Sequence, residues 1–376
     1  MRTRGVHLQY SFESEDQRGA ALQNPLFDLI SAIHEHGSIQ HAARATGASY
    51  RHVWGSLKHW ETVLGQPLVH WNRGQPARLT PFAERLLWAE ARARARLTPH
   101  IEALRAELER VLGEALDGSQ QVLTVYASHD LALPLLRDHA SATERLHIDL
   151  RFAGSLDALR ALAEGRCLVA GFHVPRLPEG HQLFASALKT LLKPGRHKLI
   201  GCSRRTQGLI VAAGNPLGLP DLAGVAAQKA RFVQRQPGSG TRLLCDYLMA
   251  RDHLSEGTLN AVAGTTEDSH NAVAAVVASG DADAGLGIEA AAAAYGLGFV
   301  PLIEEDYFLV CLKDALDHPA VAKLRGALAA RAWPSLLADL PGYEPADRPG
   351  EVLSLTRALP WWHYRTAKRV RVVSER

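Results

Sequence analysis

The sequence has little cysteine, and none of it is arranged to crosslink the chain or to bind a metal. Its four cysteines, Cys167, Cys202, Cys245 and Cys311, lie far apart, and none belongs to a Cys-x-x-Cys pair. Disulfide frameworks and zinc sites depend on such groupings. We therefore expect four ordinary buried thiols in a reducing compartment, with no disulfide and no metal site.

Long apolar runs are also absent. No stretch reaches the roughly 18 residues of a membrane-spanning helix. The first residues, MRTRGVHLQYSFESEDQ, lack the apolar segment and the small-residue cleavage site of a secretory signal. These absences predict a cytoplasmic protein that does not contact a membrane.

Catalytic signatures are missing as well. The sequence has no GxSxG, HExxH or P-loop motif. His129, Asp130, His173 and His270 are therefore not taken as catalytic groups. The pair His129 and Asp130 is better explained by ligand recognition or a helix cap, and His270 either faces the cleft or lies on the surface. We predict that the chain is not an enzyme and has no cofactor.

The chain does have enough apolar residues for more than one core. Of its 376 residues, 47% are hydrophobic, which predicts two or three domains. Helical periodicity dominates residues 25–112, whereas short β-rich runs alternate with helices over residues 119–345. The predicted division is a first domain at 1–80, a linker or dimerisation helix at 81–117, an α/β domain at 118–345, and a basic aromatic tail at 346–376 with Trp361 and Trp362.

The first domain has the pattern of a winged helix-turn-helix. An apolar-striped helix opens at Pro25 and stops at Gly37. Ser38 caps a short second helix, which ends at Gly47, and Ser49 caps a third helix. The segment PLVHW-NRGQ-PARLT then predicts two short strands around a turn, which is the wing.

A long helix should follow the wing. Thr80 is placed to cap it, with Pro81 in its first turn. Pro99 should kink or restart this helix, because proline lacks the amide donor that a helix interior needs. Such helices often pair two protomers, so we expect a homodimer or a higher homo-oligomer.

Positive charge is concentrated in the same region. Between Arg44 and Arg96 there are nine Lys or Arg residues against three Glu, although the whole chain has a net charge of only +3. This charge distribution is typical of a surface that binds double-stranded DNA. The predicted DNA contacts are Ser38, Ser49, Tyr50, Arg51, His52, Lys58, Arg73 at the tip of the wing, and Arg78. The alternative is a structural helical element that never meets DNA.

The segment GSIQHAARATGASYRHVWGSLKHWE resembles the N-terminal domain of ModE-type molybdate-responsive regulators, which is related to the LysR-type DNA-binding domain. Ser49, Tyr50 and Trp54 carry the resemblance, which covers about residues 20–112. The small molybdate-binding domains that normally follow are absent, and a different sensor replaces them. The resemblance implies a one-component bacterial transcription regulator.

Two strand-turn-helix units open the second domain. Val122 to Tyr126 should form a strand followed by a helix near Ser128, and His147 to Phe152 a strand followed by a helix capped by Ser155. This arrangement places helix N-termini at the carboxyl edge of a parallel sheet. Helix N-termini favour anions, because their free amide groups and the helix dipole both face the ligand.

The most specific motif is RFVQRQPGSGTRLLCDYL. A strand leads through Arg235 and a glycine-rich turn into a helix, with spacing similar to that of phosphate- and tungstate-binding periplasmic proteins. The predicted ligand contacts are Ser128, His129, Ser155, Arg235, Ser239, Gly240, Thr241, Arg242 and His270. A purely structural helix start remains the alternative for this motif. Asp281 and Asp283 are expected to cap and turn the chain rather than to bind metal.

The segments GLIVAAGNPLGLPDL, RQPGSGTRLL, HNAVAAVVASGDADAGLGIEAAA and FVPLIEEDYFLV follow the order of the periplasmic-binding-protein-like (PBP-like) domain associated with ModE-type regulators and molybdopterin biosynthesis proteins. This resemblance covers about residues 120–315 and implies a two-lobed type II α/β fold. The expected ligand is a small anion, namely molybdate, tungstate or a molecule related to the molybdenum cofactor. Two alternatives remain: an enzyme or carrier in molybdopterin metabolism, and a DNA-binding protein that needs no ligand.

Overall fold

The structure is a computed structural model that describes residues 12–13, 21–22, 24–71, 75–116, 121–177, 182–255, 257–359 and 361–362. Two short strands, β1 (Phe12–Glu13) and β2 (Ala21–Leu22), pair antiparallel near the start. Across the described residues, no helix combines the length and the apolar character needed to cross a membrane.

Three helices and a two-stranded wing form the first domain, as predicted. They are α1 (Asn24–His36), α2 (Ile39–Ala45), α3 (Tyr50–Leu64), β3 (Val69–His70) and β4 (Arg78–Leu79), with β3 and β4 antiparallel. The apolar stripe of α1, including Ile30 and Ile33, packs on Val53 and Leu57 of α3 in one core. This core fixes the direction in which the polar face of α3 points.

The two predicted serine caps hold the helix-turn-helix in place. The Ser38 hydroxyl accepts a hydrogen bond from the His41 amide at 3.4 Å, and the Ser49 hydroxyl accepts one from the His52 amide at 3.2 Å. Gly47, between them, has a φ of 68°, a conformation that costs glycine little and other residues more. The tight turn between α2 and α3 therefore follows from local sequence.

The linker helix, α4 (Pro81–Leu116), is continuous. The Thr80 hydroxyl accepts a hydrogen bond from the Ala83 amide at 3.1 Å, as the cap prediction requires. Pro99 was predicted to kink or restart this helix, and it does not restart it. Pro99 cannot donate to the Ala95 carbonyl one turn earlier, but the Ser269 hydroxyl of the second domain donates to that carbonyl at 3.3 Å. The orphaned acceptor is thus satisfied from outside the helix.

The first lobe of the second domain alternates parallel strands with helices. Its elements are β5 (Gln121–Ala127), α5 (Ala132–Glu144), β6 (Leu146–Phe152), α6 (Ser155–Ala163), β7 (Val169–Pro175) and α7 (Gln182–Lys189). Strand β5 lies between β6 and β7 and is parallel to both. The helix predicted near Ser128 begins only at Ala132, and the Asp130 carboxylate accepts a hydrogen bond from the Ala132 amide at 2.8 Å.

The second lobe repeats this plan. The chain enters it through β8 (His197–Val211) and continues through α8 (Leu222–Ala227), β9 (Arg231–Arg235), α9 (Gly240–Arg251), β10 (Asn260–Glu267), α10 (His270–Ala278), β11 (Ala284–Ile288) and α11 (Glu289–Ala294). It leaves through β12 (Gly298–Leu312). Strand β9 lies between β10 and β11 and is parallel to both.

The long strands β8 and β12 join the lobes. They pair antiparallel along their length; β12 then pairs with β7 in the first lobe, and β8 with β11 in the second. The sheet order is β10-β9-β11-β8-β12-β7-β5-β6. The carboxyl ends of the parallel strands in both lobes therefore face the junction. This is the predicted two-lobed α/β architecture.

The chain after β12 returns to the first lobe. A 3-10 turn (Lys313–Asp317), α12 (Pro319–Ala329) and α13 (Ala332–Ala338) precede β13 (Tyr343–Pro345), β14 (Val352–Ser354) and α14 (Leu355–Ala358). Both β13 and β14 pair with β8, and Trp361 and Trp362 pack on the first-lobe core. The described part of the predicted tail thus belongs to the sensor, and the sensor does not end at residue 345.

Candidate functional site

The candidate DNA-binding surface is the polar face of α3. Arg51 and His52 are exposed, and the Tyr50 side chain is 46% exposed although it is aromatic. All three lie in the first turn of α3, the part of a recognition helix that reaches base edges. The serines Ser38 and Ser49 serve as helix caps.

Lys58 and Arg78 lie outside that first turn. The Lys58 ammonium is 2.6 Å from the Glu61 carboxylate and 5.0 Å from the centre of the Trp54 ring. It is therefore partly neutralised by its own helix. Arg78 is exposed on β4, and Arg73 lies outside the described residues.

The candidate ligand site is a cavity between the lobes, at the carboxyl ends of β5, β6 and β9. Eight of the nine predicted contacts line it: Ser128, His129, Ser155, Arg235, Ser239, Gly240, Thr241 and His270. Arg242 does not, because its guanidinium is held by Gln234 at 2.7 Å and Asp246 at 3.0 Å. The cavity has a volume of about 30 Å³, which suits a ligand of few atoms.

Two helix N-termini from opposite lobes approach each other at this cavity. A Cβ placed on Gly240 would lie 3.3 Å from the Ser155 hydroxyl, and one placed on Gly154 would lie 2.9 Å from the Gly238 carbonyl oxygen. Ser239, predicted as a ligand contact at a helix start, caps α9 by accepting from the Arg242 amide at 3.1 Å. The cap of α6, however, is Gly154 and not Ser155. The Ser155 hydroxyl is consequently buried with no partner among the described residues.

Arg235 faces this cavity and, among the residues that the structure describes, has no carboxylate contact. It is 6% exposed and donates to the Glu267 carbonyl at 3.1 Å, the Asp268 carbonyl at 2.8 Å and the His270 ring at 3.1 Å. Burial and the nearby Arg205 charge lower its pKa to about 10, so it is still positively charged at neutral pH. Further guanidinium N–H groups remain for a ligand.

A second buried arginine, Arg205, was not predicted. Its guanidinium donates to Glu305 at 2.6 Å and to Asp130 at 2.7 Å, so two carboxylates balance its charge. Burial would raise the pKa of Asp130, but the Arg205 charge and a hydrogen bond from His173 hold it well below its usual value. Arg205 therefore organises the cavity wall rather than offering a free positive charge.

The cavity histidines are neutral at physiological pH. Burial and the Arg235 charge lower the pKa of His129 to about 4 and that of His270 far below its usual value. Burial and Arg205 likewise lower the pKa of His173. Because an arginine can only donate, its contact with Nδ1 of His270 places the ring proton of that histidine on Nε2.

A short turn, Glu267–His270, separates this cavity from the linker helix; we call it the cleft turn. On one side Arg235 holds its carbonyl groups. On the other side Arg96 of α4 donates to both carboxylate oxygens of Glu267, at 2.8 and 2.7 Å, and Arg92 reaches one of them at 3.4 Å. One wall of the cavity is therefore bonded directly to the helix that leads to the DNA-binding domain.

A second, more apolar cavity adjoins the first. The two share Ser155, His173, Ser239 and Gly240 in their walls. The rest of the second cavity is lined by the apolar side chains of Leu156, Phe184, Leu188 and Leu243 together with Gly238, Asp246 and the predicted contact Arg242. This second cavity has a volume of about 80 Å³. No local sequence signal indicated this cavity, because its lining comes from three separate helices.

Comparison with known families agrees with this geometry. Residues 137–329 match the profile of the PBP superfamily domain, and residues 26–84 match the bacterial regulatory helix-turn-helix proteins of the lysR family. The first match spans more than half of the chain, so the chain belongs to the PBP superfamily. Ahead of this PBP-like domain lies the helix-turn-helix segment that matches the lysR family.

Individual relatives are distant. YvgK of Bacillus subtilis (strain 168), an uncharacterized protein, is 28% identical over 228 residues, which is 61% of this chain and 72% of YvgK. Among solved structures, an H2O2-bound mutant of Corynebacterium glutamicum OxyR is similar at 18% identity, covering 84% of this chain and 94% of that one, with a TM-score of 0.41. The LysR family transcriptional regulator CbnR is similar at 17% identity, covering 81% of this chain and 99% of that one, with a TM-score of 0.40. The finer resemblance to ModE-type regulators stays a prediction.

Proposed function

We propose that this chain is a one-component transcription regulator that binds double-stranded DNA through α3 and the wing and senses a small anion between the lobes, in the cytoplasm. The environment of Arg235 is the observation that supports anion sensing. It is buried, charged and without a carboxylate contact in the described part of the chain, and it lines the same cavity as the unpartnered hydroxyl of Ser155. A buried cation beside helix N-termini favours an anionic ligand.

Molybdate, tungstate and a molecule related to the molybdenum cofactor are the candidates that the ModE-type resemblance favours. The small volume of the polar cavity supports an oxyanion or the acidic group of a larger molecule. The hydroxyl of Thr241 supports either, since its oxygen already accepts from Gln207 at 3.2 Å and its proton is left for a ligand.

A thermal-shift series on the full chain tests the anion site. Molybdate, tungstate, sulfate, phosphate and short carboxylic acids are added at pH 7.5, and a ligand at about 100 times its Kd should add about 2.7 kcal/mol of stability. Arg235→Ala and Ser239→Ala should abolish the shift, but both residues also hold local structure. Ser155→Ala is the cleaner variant, because its hydroxyl has no partner among the described residues.

Ser203→Ala is the matched control. Ser203 is also fully buried, but it lies outside the residues that line the cavity. The proposal requires Ser155→Ala to reduce the anion-induced shift while Ser203→Ala retains it. If no anion stabilises the wild-type chain, the protein is a DNA-binding protein that needs no ligand, and the proposed sensing is wrong.

The cleft turn supports a route from ligand to DNA. An anion bound by the remaining N–H groups of Arg235 would share that guanidinium with the carbonyls of Glu267 and Asp268. The same turn holds α4 through the Arg96–Glu267 ion pair and the bond from Ser269 to Ala95. Ligand binding should therefore shift the position of the linker helix, since the two share contacts.

A second copy of the chain is the proposed partner of the linker helix. Its later turns expose Leu97, Leu104, Leu108 and Val111, each at least 41% exposed. Their spacing of seven, four and three residues places them along one stripe of the helix. Such a stripe is typical of a helix that pairs with its copy, and a dimer would match two-fold symmetric DNA sites.

A further inference from the structure

Ser128 faces the cavity as a hydrogen-bond acceptor, and this follows from its neighbours. The Asp130 carboxylate lies 3.1 Å from Nε2 of His173, and Nδ1 of the same ring lies 2.8 Å from the Ser128 hydroxyl oxygen. A carboxylate can only accept, so the ring proton is on Nε2 and Nδ1 is a lone pair. The Ser128 hydroxyl must then donate its proton to Nδ1.

This arrangement leaves only lone pairs on the Ser128 oxygen. Ser128 is 7% exposed and lines the cavity, and no described residue donates to its hydroxyl oxygen. A second acceptor lies in the same wall, since one carboxylate oxygen of Asp268 is buried with no partner in the part of the chain that the structure describes. Buried acceptors left unpaired are costly, so both favour a ligand that brings a donor.

The adjoining cavity adds an apolar requirement. Leu156, Phe184, Leu188 and Leu243 line it, and it meets the polar cavity at Ser155 and Gly240. An acid group held by Arg235 and Ser155 would leave a substituent free to enter this second space. Burying that substituent against leucine and phenylalanine side chains removes apolar surface from water.

We infer that the ligand is a small organic acid with an O–H or N–H donor next to its acid group and an apolar side group, and that Ser128 selects for the donor. The inference rests on the proposed anion site and names the class of ligand for it. Molybdate, tungstate and sulfate do not fit this class, because they are fully deprotonated at pH 7.5 and have no apolar part.

Isothermal titration of the full-length chain at pH 7.5 tests the inference with matched acids. The probes are 2-hydroxy-4-methylpentanoate, 4-methylpentanoate, which lacks the donor, glycolate, which lacks the apolar group, and molybdate. We expect the first to bind at least about tenfold more tightly than 4-methylpentanoate, because the latter leaves Ser128 unpaired. We expect 2-hydroxy-4-methylpentanoate to bind more tightly than glycolate, by about fourfold in affinity for each buried methylene group.

Two substitutions locate these preferences in the structure. Ser128→Ala should bring the ratio between 2-hydroxy-4-methylpentanoate and 4-methylpentanoate close to one, whereas Ser203→Ala should leave the ratio unchanged. Leu243→Gln should weaken binding of the branched hydroxy acid and spare glycolate. The wild-type ratios stand without any variant, so poor folding of Ser128→Ala does not remove the test.

The outcomes distinguish an error in the inferred class of ligand from an error in the proposed anion site. Equal affinity for the hydroxy and deoxy acids, or tighter binding of molybdate than of any acid, overturns the inference and leaves the proposed anion site standing. Failure of every acid and every inorganic anion to bind overturns the proposed sensing function together with the inference.

Discussion

The ion pair between the linker helix and the cleft turn gives the sharpest test of how the two domains are joined. The Glu267 side chain is fully buried, and Arg96 meets it with two short hydrogen bonds while Arg92 makes only a 3.4 Å contact. Replacing Arg96 by Gln removes the bidentate partner. A buried carboxylate is then left with the longer contact, which is an unfavourable state.

The stability that Arg96→Gln should lose depends on how deeply the side chains of Arg96 and Glu267 are buried. Breaking a fully buried ion pair costs about 3–5 kcal/mol. The Arg96 side chain is 44% exposed, so water already reaches it and part of the cost is screened. We therefore expect Arg96→Gln to lower the free energy of unfolding by about 1–3 kcal/mol. Glu267→Gln should lower the free energy of unfolding by a similar amount. In a double-mutant cycle, the interaction energy between the two substitutions should be about 1–2 kcal/mol.

Urea unfolding of the single variants and of the double variant measures this coupling. Fluorescence and circular dichroism should be followed together, because a chain with several domains need not unfold in one step. Arg85→Gln is the matched control, because Arg85 is also on α4 and its side chain is exposed. It should cost under about 0.5 kcal/mol. Additive effects of Arg96→Gln and Glu267→Gln would refute the claim that this pair docks the linker helix.

Three further predictions address closure, DNA binding and assembly. Gly154→Ala should weaken anion binding about 5- to 100-fold in titration calorimetry, because its Cβ would lie 2.9 Å from the Gly238 carbonyl oxygen and keep the lobes apart; unchanged affinity would mean that the lobes need not close. Arg51→Ala should weaken DNA binding in gel shifts and lower the salt dependence by about one unit if it contacts phosphate. Leu104→Lys with Leu108→Lys should shift a dimer toward monomer in analytical ultracentrifugation, and an unchanged mass would rule out this stripe as the interface.

Local signals in the sequence were enough for the helix-turn-helix and for much of the ligand site. Ser38 and Ser49 cap the helices that they were predicted to cap, since a cap depends on three or four consecutive residues. Ser155 was predicted to cap α6 as well as to contact the ligand, and the cap assignment is wrong. Gly154 takes the cap position, and this frees the Ser155 hydroxyl for the cavity, a difference of one residue that local patterns do not resolve.

The parts of the site that the sequence did not indicate depend on pairings far apart in the chain. Arg205 is set by Asp130 and by Glu305, which are 75 and 100 residues away. His173 and Asp130 were singled out from the sequence, but the contact between them was not. These contacts exist only because β8 and β12 cross between the lobes, and no spacing rule predicts which buried charges such a crossing brings together.

Pro99 shows how a correct local rule can give a wrong conclusion. The rule says that proline leaves the carbonyl four residues earlier without a donor, and Ala95 does lose its donor within α4. The sequence cannot show that Ser269 supplies another one at 3.3 Å. The proline therefore creates an acceptor on an intact helix, and that acceptor becomes a docking point for the sensor.

This docking point bears on the direction of signalling under the proposed function. Ser269 caps α10 by accepting from the Ala272 amide at 3.2 Å, and it donates to Ala95 at the same time. The cleft turn therefore cannot follow a ligand toward Arg235 without straining either its cap or its bond to the linker helix. The free energy that a ligand can deliver to the DNA-binding domain is limited by the difference in its affinity for the two positions of the turn. Weakening the contacts to α4 should consequently raise ligand affinity while it reduces the effect of ligand on DNA binding.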